Sequence, residues 1–135
     1  MTDRLFSTFT LEGGAAGLSD ARRFVASRLR SWSIPNERIE AVALAATEML
    51  TNALVHAAST PVLRLEEIGA SAVRLSVVDC SQLVPQQRAE RTDDGHGLGL
   101  RMIDELSDSW GWENTADGKV VWACFGGAAQ SPAAP

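Results

Sequence analysis

The sequence predicts a two-layer α+β sandwich, a mixed and mostly antiparallel β-sheet covered on one face by about three helices. Three observations carry that expectation. Strand-like and helix-like segments alternate along 135 residues, the usual size of one domain with one core. Two strand-like runs, 61–68 and 71–79, meet at Gly69-Ala70-Ser71, which is hairpin spacing. One long helical segment is apolar nearly all round, and such a helix is usually covered on two sides.

The elements follow in order. Leu5, Ser7 and Phe9 alternate with Phe6, Thr8 and Thr10, so a strand is expected over 5–11. Ser19 or Asp20 then caps a helix running to about Trp32. Leu18, Ala21, Val25, Leu29 and Trp32 form its buried stripe, with Arg22, Arg23, Arg28 and Arg30 outside. Pro35 suits the first turn of a second helix reaching about Ala58. Residues 80–94 read as polar loop. Glycines punctuate 95–99, and a third helix follows through about Ser107. A last strand covers Lys119 to Phe125 after a turn at Asp117-Gly118. The domain is expected to span 1–125. The tail 126–135 lacks large apolar groups and is expected to be disordered.

Composition narrows the function classes. Apolar residues make up 45% of the chain, which excludes a disordered polymer. The formal net charge of −5 argues against direct binding of nucleic acid. No apolar run approaches the roughly 20 residues needed to span a membrane, and the N-terminus has no signal-peptide pattern. Cys80 and Cys124 are the only cysteines and form no CxxC pair. A cytoplasmic protein is expected.

Three places do not fit a plain core. The first is the second helix. From Ala41 to Ala58 it carries one charged side chain, Glu48. Ile39, Val42, Ala43, Ala46, Leu50 and Ala53 make a core stripe, and Ala41, Leu44, Ala45 and Val55 make the other side apolar too. Glu48, Asn52 and His56 stand at i, i+4 and i+8, in one line on that second side. A carboxylate is seldom buried without a partner. Either a polar cleft borders the line, or the line is a solvated rim.

The second place is Asp79, which falls in register with Val73, Leu75 and Val77 and therefore points toward the helices. It serves either as a loop cap or as an acceptor for a buried ligand amine. The third is Gly95-His96-Gly97-Leu98-Gly99-Leu100, followed by a helix start. Alternate glycines bare the backbone, and free helix N–H groups favour an anion such as phosphate. The segment is neither a Rossmann fingerprint nor a P-loop. A plain flexible turn is the alternative. Neither His56 nor His96 has the neighbours of a zinc site.

These three motifs, in this order, resemble those of the GHKL ATP-binding superfamily (gyrases, MutL, sensor histidine kinases) with its Bergerat fold. The closest likeness is to anti-sigma-factor serine/threonine kinases and their small actinobacterial relatives, over roughly residues 5–125. Glu48-Met49-Leu50-Thr51-Asn52-Ala53-Leu54-Val55-His56-Ala57 looks like the N box. Val77-Val78-Asp79-Cys80-Ser81 sits where the first glycine box belongs, and 95–100 looks like the second. Cys80-Ser81 stand where larger members have glycines. Lys119 stands where many members carry Thr or Ser.

The resemblance implies ATP and Mg²⁺ as cofactors. It implies that Asn52 ligates the metal through its side-chain oxygen and that Glu48 is the general base. By the same resemblance Asp79 binds the adenine amine, Gly95, Gly97 and Gly99 cradle the phosphates, and 82–94 form a lid with Arg88 reaching inward. His56, His96, Leu98, Leu100 and Lys119 complete the implied nucleotide site. The implied partners are a sigma factor and a STAS-domain anti-anti-sigma protein, and such kinases are commonly homodimers. A non-catalytic ATP-dependent binding switch of the same fold is the second reading.

Overall fold

The computed structural model describes residues 5–56, 60–79, 96–116 and 118–126, and of His56 and residues 96–100 the backbone. The elements run β1 (Phe6–Thr10), α1 (Leu18–Ser31), α2 (Asn36–His56), β2 (Val62–Gly69), β3 (Ala72–Asp79), α3 (His96–Leu106), β4 (Ser109–Thr115) and β5 (Gly118–Phe125). A 3₁₀ turn, Gly14–Gly17, leads into α1. The five strands form one sheet in the order β1-β2-β3-β5-β4. Every ladder is antiparallel. No helix among the described residues is long and apolar enough to cross a membrane.

Directly opposed residues share a face of a sheet, so the register sorts the side chains. Leu63, Val77 and Val121 form one row, and Leu65, Leu75 and Ala123 the next; both rows face the helices and belong to the core. Arg64, Ser76, Trp122 and Gly111 form a row on the other face. There the Arg74 guanidinium lies 4.8 Å from the centre of the Trp122 ring. A Cβ on Gly111 would come within 2.7 Å of the indole, so the missing side chain lets Trp122 lie across the edge strand.

The elements follow the expected pattern with three differences. α1 is capped at Gly17 rather than at Ser19 or Asp20, because the 3₁₀ turn brings the chain into the helix early. Asp20 instead sits in the first turn, where an acid suits the helix dipole, and pairs with Arg23 at 2.7 Å. In α2, Ile39, Val42, Ala46, Leu50 and Ala53 are buried as the pattern predicts, and Ala45 and Met49 join them. Leu44 and Val55, in contrast, are 41% and 61% exposed. The helix is apolar because α1 and α3 flank it while the sheet lies beneath. Its fourth side is wet.

The third difference is β4, for which the sequence gives little local signal. Gly111, Glu113 and Asn114 are poor strand formers. Pairing along the full length of β5, from Ser109↔Cys124 to Thr115↔Gly118, makes it a strand. Of the turn expected at Asp117-Gly118, Asp117 lies outside the described residues; Gly118 opens β5 opposite Thr115 of β4.

These placements separate two leucines of one helix. Leu50→Ala should lower the unfolding free energy by about 2–5 kcal/mol through the cavity it leaves, whereas Leu44→Ala should change it by less than about 0.5 kcal/mol. Urea midpoints of the two variants check this.

Candidate nucleotide-binding site

The two ends of the sandwich can be told apart by what meets there. At one end α2 begins, and Arg38 donates a hydrogen bond of 2.7 Å to the Ser71 carbonyl at the start of β3. Pro35, Arg38 and Ala41 border a cleft there with Leu106, Phe125 and Gly126. The helix α2 and the strand β3 therefore leave this end together, while α3 and β5 arrive at it with their last residues. Ten residues of helix rise about 15 Å, so the span from Ala41 to Asn52 is close to that of α3. The second half of α2, the end of β3, the start of β5 and the first turn of α3 consequently lie at the opposite end. That end holds the residues the sequence singles out.

Glu48 and Asn52 are half-buried, between the dry face of α2 and its wet side. An oxygen so placed is held by packing yet open to a ligand. His56 lies in the last turn of the same helix. Asp79 closes β3 and is only 2% exposed, in line with its register among Val73, Leu75 and Val77. Lys119 stands directly across the ladder from Asp79 and is 6% exposed. Its Nζ lies 3.9 Å from Asp79 Oδ2. Asn114 of β4 faces Lys119 from the other side. A polar row thus crosses β4, β5 and β3 beyond the last apolar row of the core.

Desolvating such a pair costs several kcal/mol for each ion, and their attraction offsets this only with good geometry and further hydrogen bonds. Replacing one ion alone is the costly change. A buried ion pair at the rim of an otherwise apolar layer is a feature the fold does not need for packing.

The helix α3 begins at His96, inside the glycine-rich segment and not after it. Gly97, Leu98, Gly99 and Leu100 therefore lie within its opening turns. Glycine is a poor helix former, which is why the sequence places the start later. No acidic residue stands in the first turn, so the positive end of the helix is not neutralised by its own side chains. Gly95, Arg88, Cys80, Ser81, the expected lid 82–94 and the tail 127–135 lie outside the described residues. Cys124 belongs elsewhere: it shares a face with Arg74 and Ser109, and burial pushes its thiol pKa up.

The donor set fits an adenine nucleotide with magnesium. A buried carboxylate at a strand end suits an exocyclic amine, a half-buried side-chain amide offers magnesium an oxygen, and a helix with no acid in its first turn suits phosphate at its start. The sequence signalled each of these except the burial of Lys119. That burial follows from the register that sets Lys119 against Asp79.

Residues 13–125 match the histidine kinase-like ATPase domain family, and the chain belongs to that family. ATP binding goes with that membership. Among solved structures the chain is similar to the RsbU and RsbW domains of Rv1364c from Mycobacterium tuberculosis, with a TM-score of 0.58 and 22% identity. The likeness is one of fold. It covers 92% of this chain and 32% of that one, so this chain spans about a third of the other's length. No curated protein matches the chain.

Asp79→Ala, which leaves the Lys119 ammonium without its buried carboxylate, should destabilise the domain by about 3–5 kcal/mol. Replacing both residues with apolar ones of similar size should cost far less. Guanidinium unfolding of the single and double variants measures the difference.

Proposed function

We propose that this domain is a serine/threonine protein kinase of the anti-sigma-factor type, acting in the cytoplasm. It binds Mg-ATP between the second half of α2 and the start of α3. It transfers the γ-phosphoryl group to a STAS-fold anti-anti-sigma protein and also binds a sigma factor. The observation that carries the nucleotide part is the convergence of Asn52, Asp79 and the first turn of α3 at one end of the sandwich. The motifs at 48–57, 77–81 and 95–100 support the kinase part, as does similarity to a structure containing an RsbW domain.

The roles follow from chemistry and place. Asp79 accepts hydrogen bonds from the adenine amine. The N–H groups opening α3, with Gly95, Gly97 and Gly99, receive the phosphates. Asn52 would hold Mg²⁺ through its side-chain oxygen, and the ion would supply positive charge against the phosphates. Glu48, one helical turn before Asn52, takes the proton of the attacking hydroxyl as its oxygen bonds to the γ-phosphorus and the bond to the β-phosphate oxygen breaks. His56, His96 and Arg88 are assigned to the same pocket. The presence of Glu48 favours transfer over an ATP-gated switch, since binding alone needs no base.

The outer face of α1 is the partner surface in this reading. Arg23 is engaged by Asp20. Arg28 donates to Ser7 Oγ at 3.0 Å and lies 5.6 Å from the centre of the Phe24 ring. Arg22 and Arg30 are exposed beside them. On a chain of net charge −5, this local positive face suits an acidic partner.

Asn52→Ala should abolish Mg-ATP binding in titration calorimetry; unchanged affinity would remove the metal assignment. Glu48→Ala should bind ATP as the parent does but transfer no label from γ-labelled ATP to a STAS-domain serine. Label transfer at the parental rate would remove the base, and binding without transfer in the parent itself would leave the switch.

A further inference from the structure

The sheet ends in two edge strands, and the two edges differ. β1 forms one edge. There α1 packs beside the strand: Arg28 donates to Ser7 Oγ, and the Phe24 ring centre lies 5.1 Å from that of Phe9. β4 forms the other edge, and no described strand pairs with its outer side. A strand so placed carries a row of backbone N–H and C=O groups that another strand can use. Proteins commonly block such an edge with lysine, proline or a bulge. The seven residues of β4, Ser109–Thr115, include neither lysine nor proline. Its ladder with β5 keeps one register from end to end.

The two sides of this edge ask for different chemistry. On the helix side stand Trp110 and Trp112, in the rows of Ala123 and Val121. Trp110 Nε1 donates to Asp104 Oδ1 at 3.0 Å, which sets a carboxylate of α3 beside the strand. Trp112 is 49% exposed, and Asp104 and Glu105 are exposed as well. From Arg101 to Thr115 the chain carries Asp104, Glu105, Asp108 and Glu113 against Arg101 alone. An open indole face beside carboxylates suits a lysine or arginine side chain. On the other side Gly111 has no side chain, and the Trp122 indole lies across the strand there with the Arg74 guanidinium 4.8 Å from its ring centre. At Gly111 that side suits an apolar side chain and repels a cation.

Successive side chains of a strand point to opposite faces, so a strand that satisfies both sides alternates basic and apolar residues. We propose that β4 is a docking edge that takes up, by strand addition, an extended segment of a partner protein with alternate basic and apolar residues. Backbone hydrogen bonds along β4 hold the segment. Its cations lie over Trp112 against the acids of α3, and its apolar side chains cover Gly111 and the end of Trp122. The basic outer face of α1 lies at the opposite edge of the sheet, so the domain offers separate places to partners of opposite charge. This role does not depend on the nucleotide site.

The test titrates the ¹⁵N-labelled full chain with a blocked eight-residue peptide of alternating lysine and valine. Amide shifts should move along 109–115 and around Asp104, with those of 6–10 unchanged. The outward amides of β4 should exchange more slowly with solvent in the complex. A peptide with proline for each valine keeps the charge but cannot add as a strand, and it should bind at least about tenfold more weakly. A peptide with glutamate for each lysine should not bind. Trp112→Ala should weaken the lysine–valine peptide about two- to fivefold, as for an exposed cation–π contact, and Trp112→Phe by less. Equal binding of the valine and proline peptides overturns the proposal, because charge alone then suffices. Shifts centred on β1 and α1, or none at millimolar peptide, overturn it too. So does protection of the outward β4 amides in the free protein, by a second copy or by another segment of this chain. These outcomes need no variant, so a Trp112→Ala protein that fails to fold does not protect the proposal. Unchanged affinity in a folded Trp112→Ala protein overturns it equally.

Discussion

The packing of α2 onto the sheet is the constraint on which the rest depends. Val42, Ala46, Leu50 and Ala53 are buried in one core with Leu63, Leu65, Leu75 and Val77. Small residues recur on that helix face, which allows helix and sheet to approach closely. Burial of this kind contributes roughly 25 cal/mol per Å² of apolar surface. Once α2 is seated, its direction relative to β3 is set, and α1 and α3 fill the grooves on either side. The functional end is a consequence: Asn52 is where it is because Ala46, Leu50 and Ala53 are where they are.

The polar groups of the site gather where this apolar packing ends. Along α2 the line from Glu48 to Asn52 runs between dry and wet sides, and along β3 the apolar alternation stops at Asp79. Lys119 extends that boundary onto β5. A layer that ends in a buried ion pair instead of another Val or Leu gives up packing for chemistry. Sequence and structure agree on this boundary, although nothing in the packing demands it.

Much of this was legible in the sequence, for identifiable reasons. β1, α1, α2 and the β2–β3 hairpin carry strong periodicity, and periodicity reports directly on which face is buried. The inward aim of Asp79 follows from strand parity alone. What escaped was set by partners. Ser109–Thr115 mixes the strand formers Trp110, Trp112 and Thr115 with Gly111, Glu113 and Asn114, and it becomes a strand by pairing with β5. The start of α3 is obscured by glycines whose helix propensity is low. Ala45 reads as an outer residue, yet it is buried in the core, because helices flank α2 on two sides. Resemblance assigns Lys119 to the nucleotide site, but its burial and its pairing with Asp79 depend on the strand register. In each case tertiary contact overrides a local preference.

The central claim is that the second half of α2, the first turn of α3 and the Asp79–Lys119 row surround one nucleotide. Backbone amide NMR with Mn-ATP in place of Mg-ATP tests it most directly, since the paramagnetic ion broadens only nearby resonances. The account predicts broadening around residues 48–56, 79, 96–100 and 119, with the resonances of Arg38, Leu106 and Phe125 unchanged. Broadening centred on the Arg38–Leu106–Phe125 end, or none at saturating nucleotide, would contradict it.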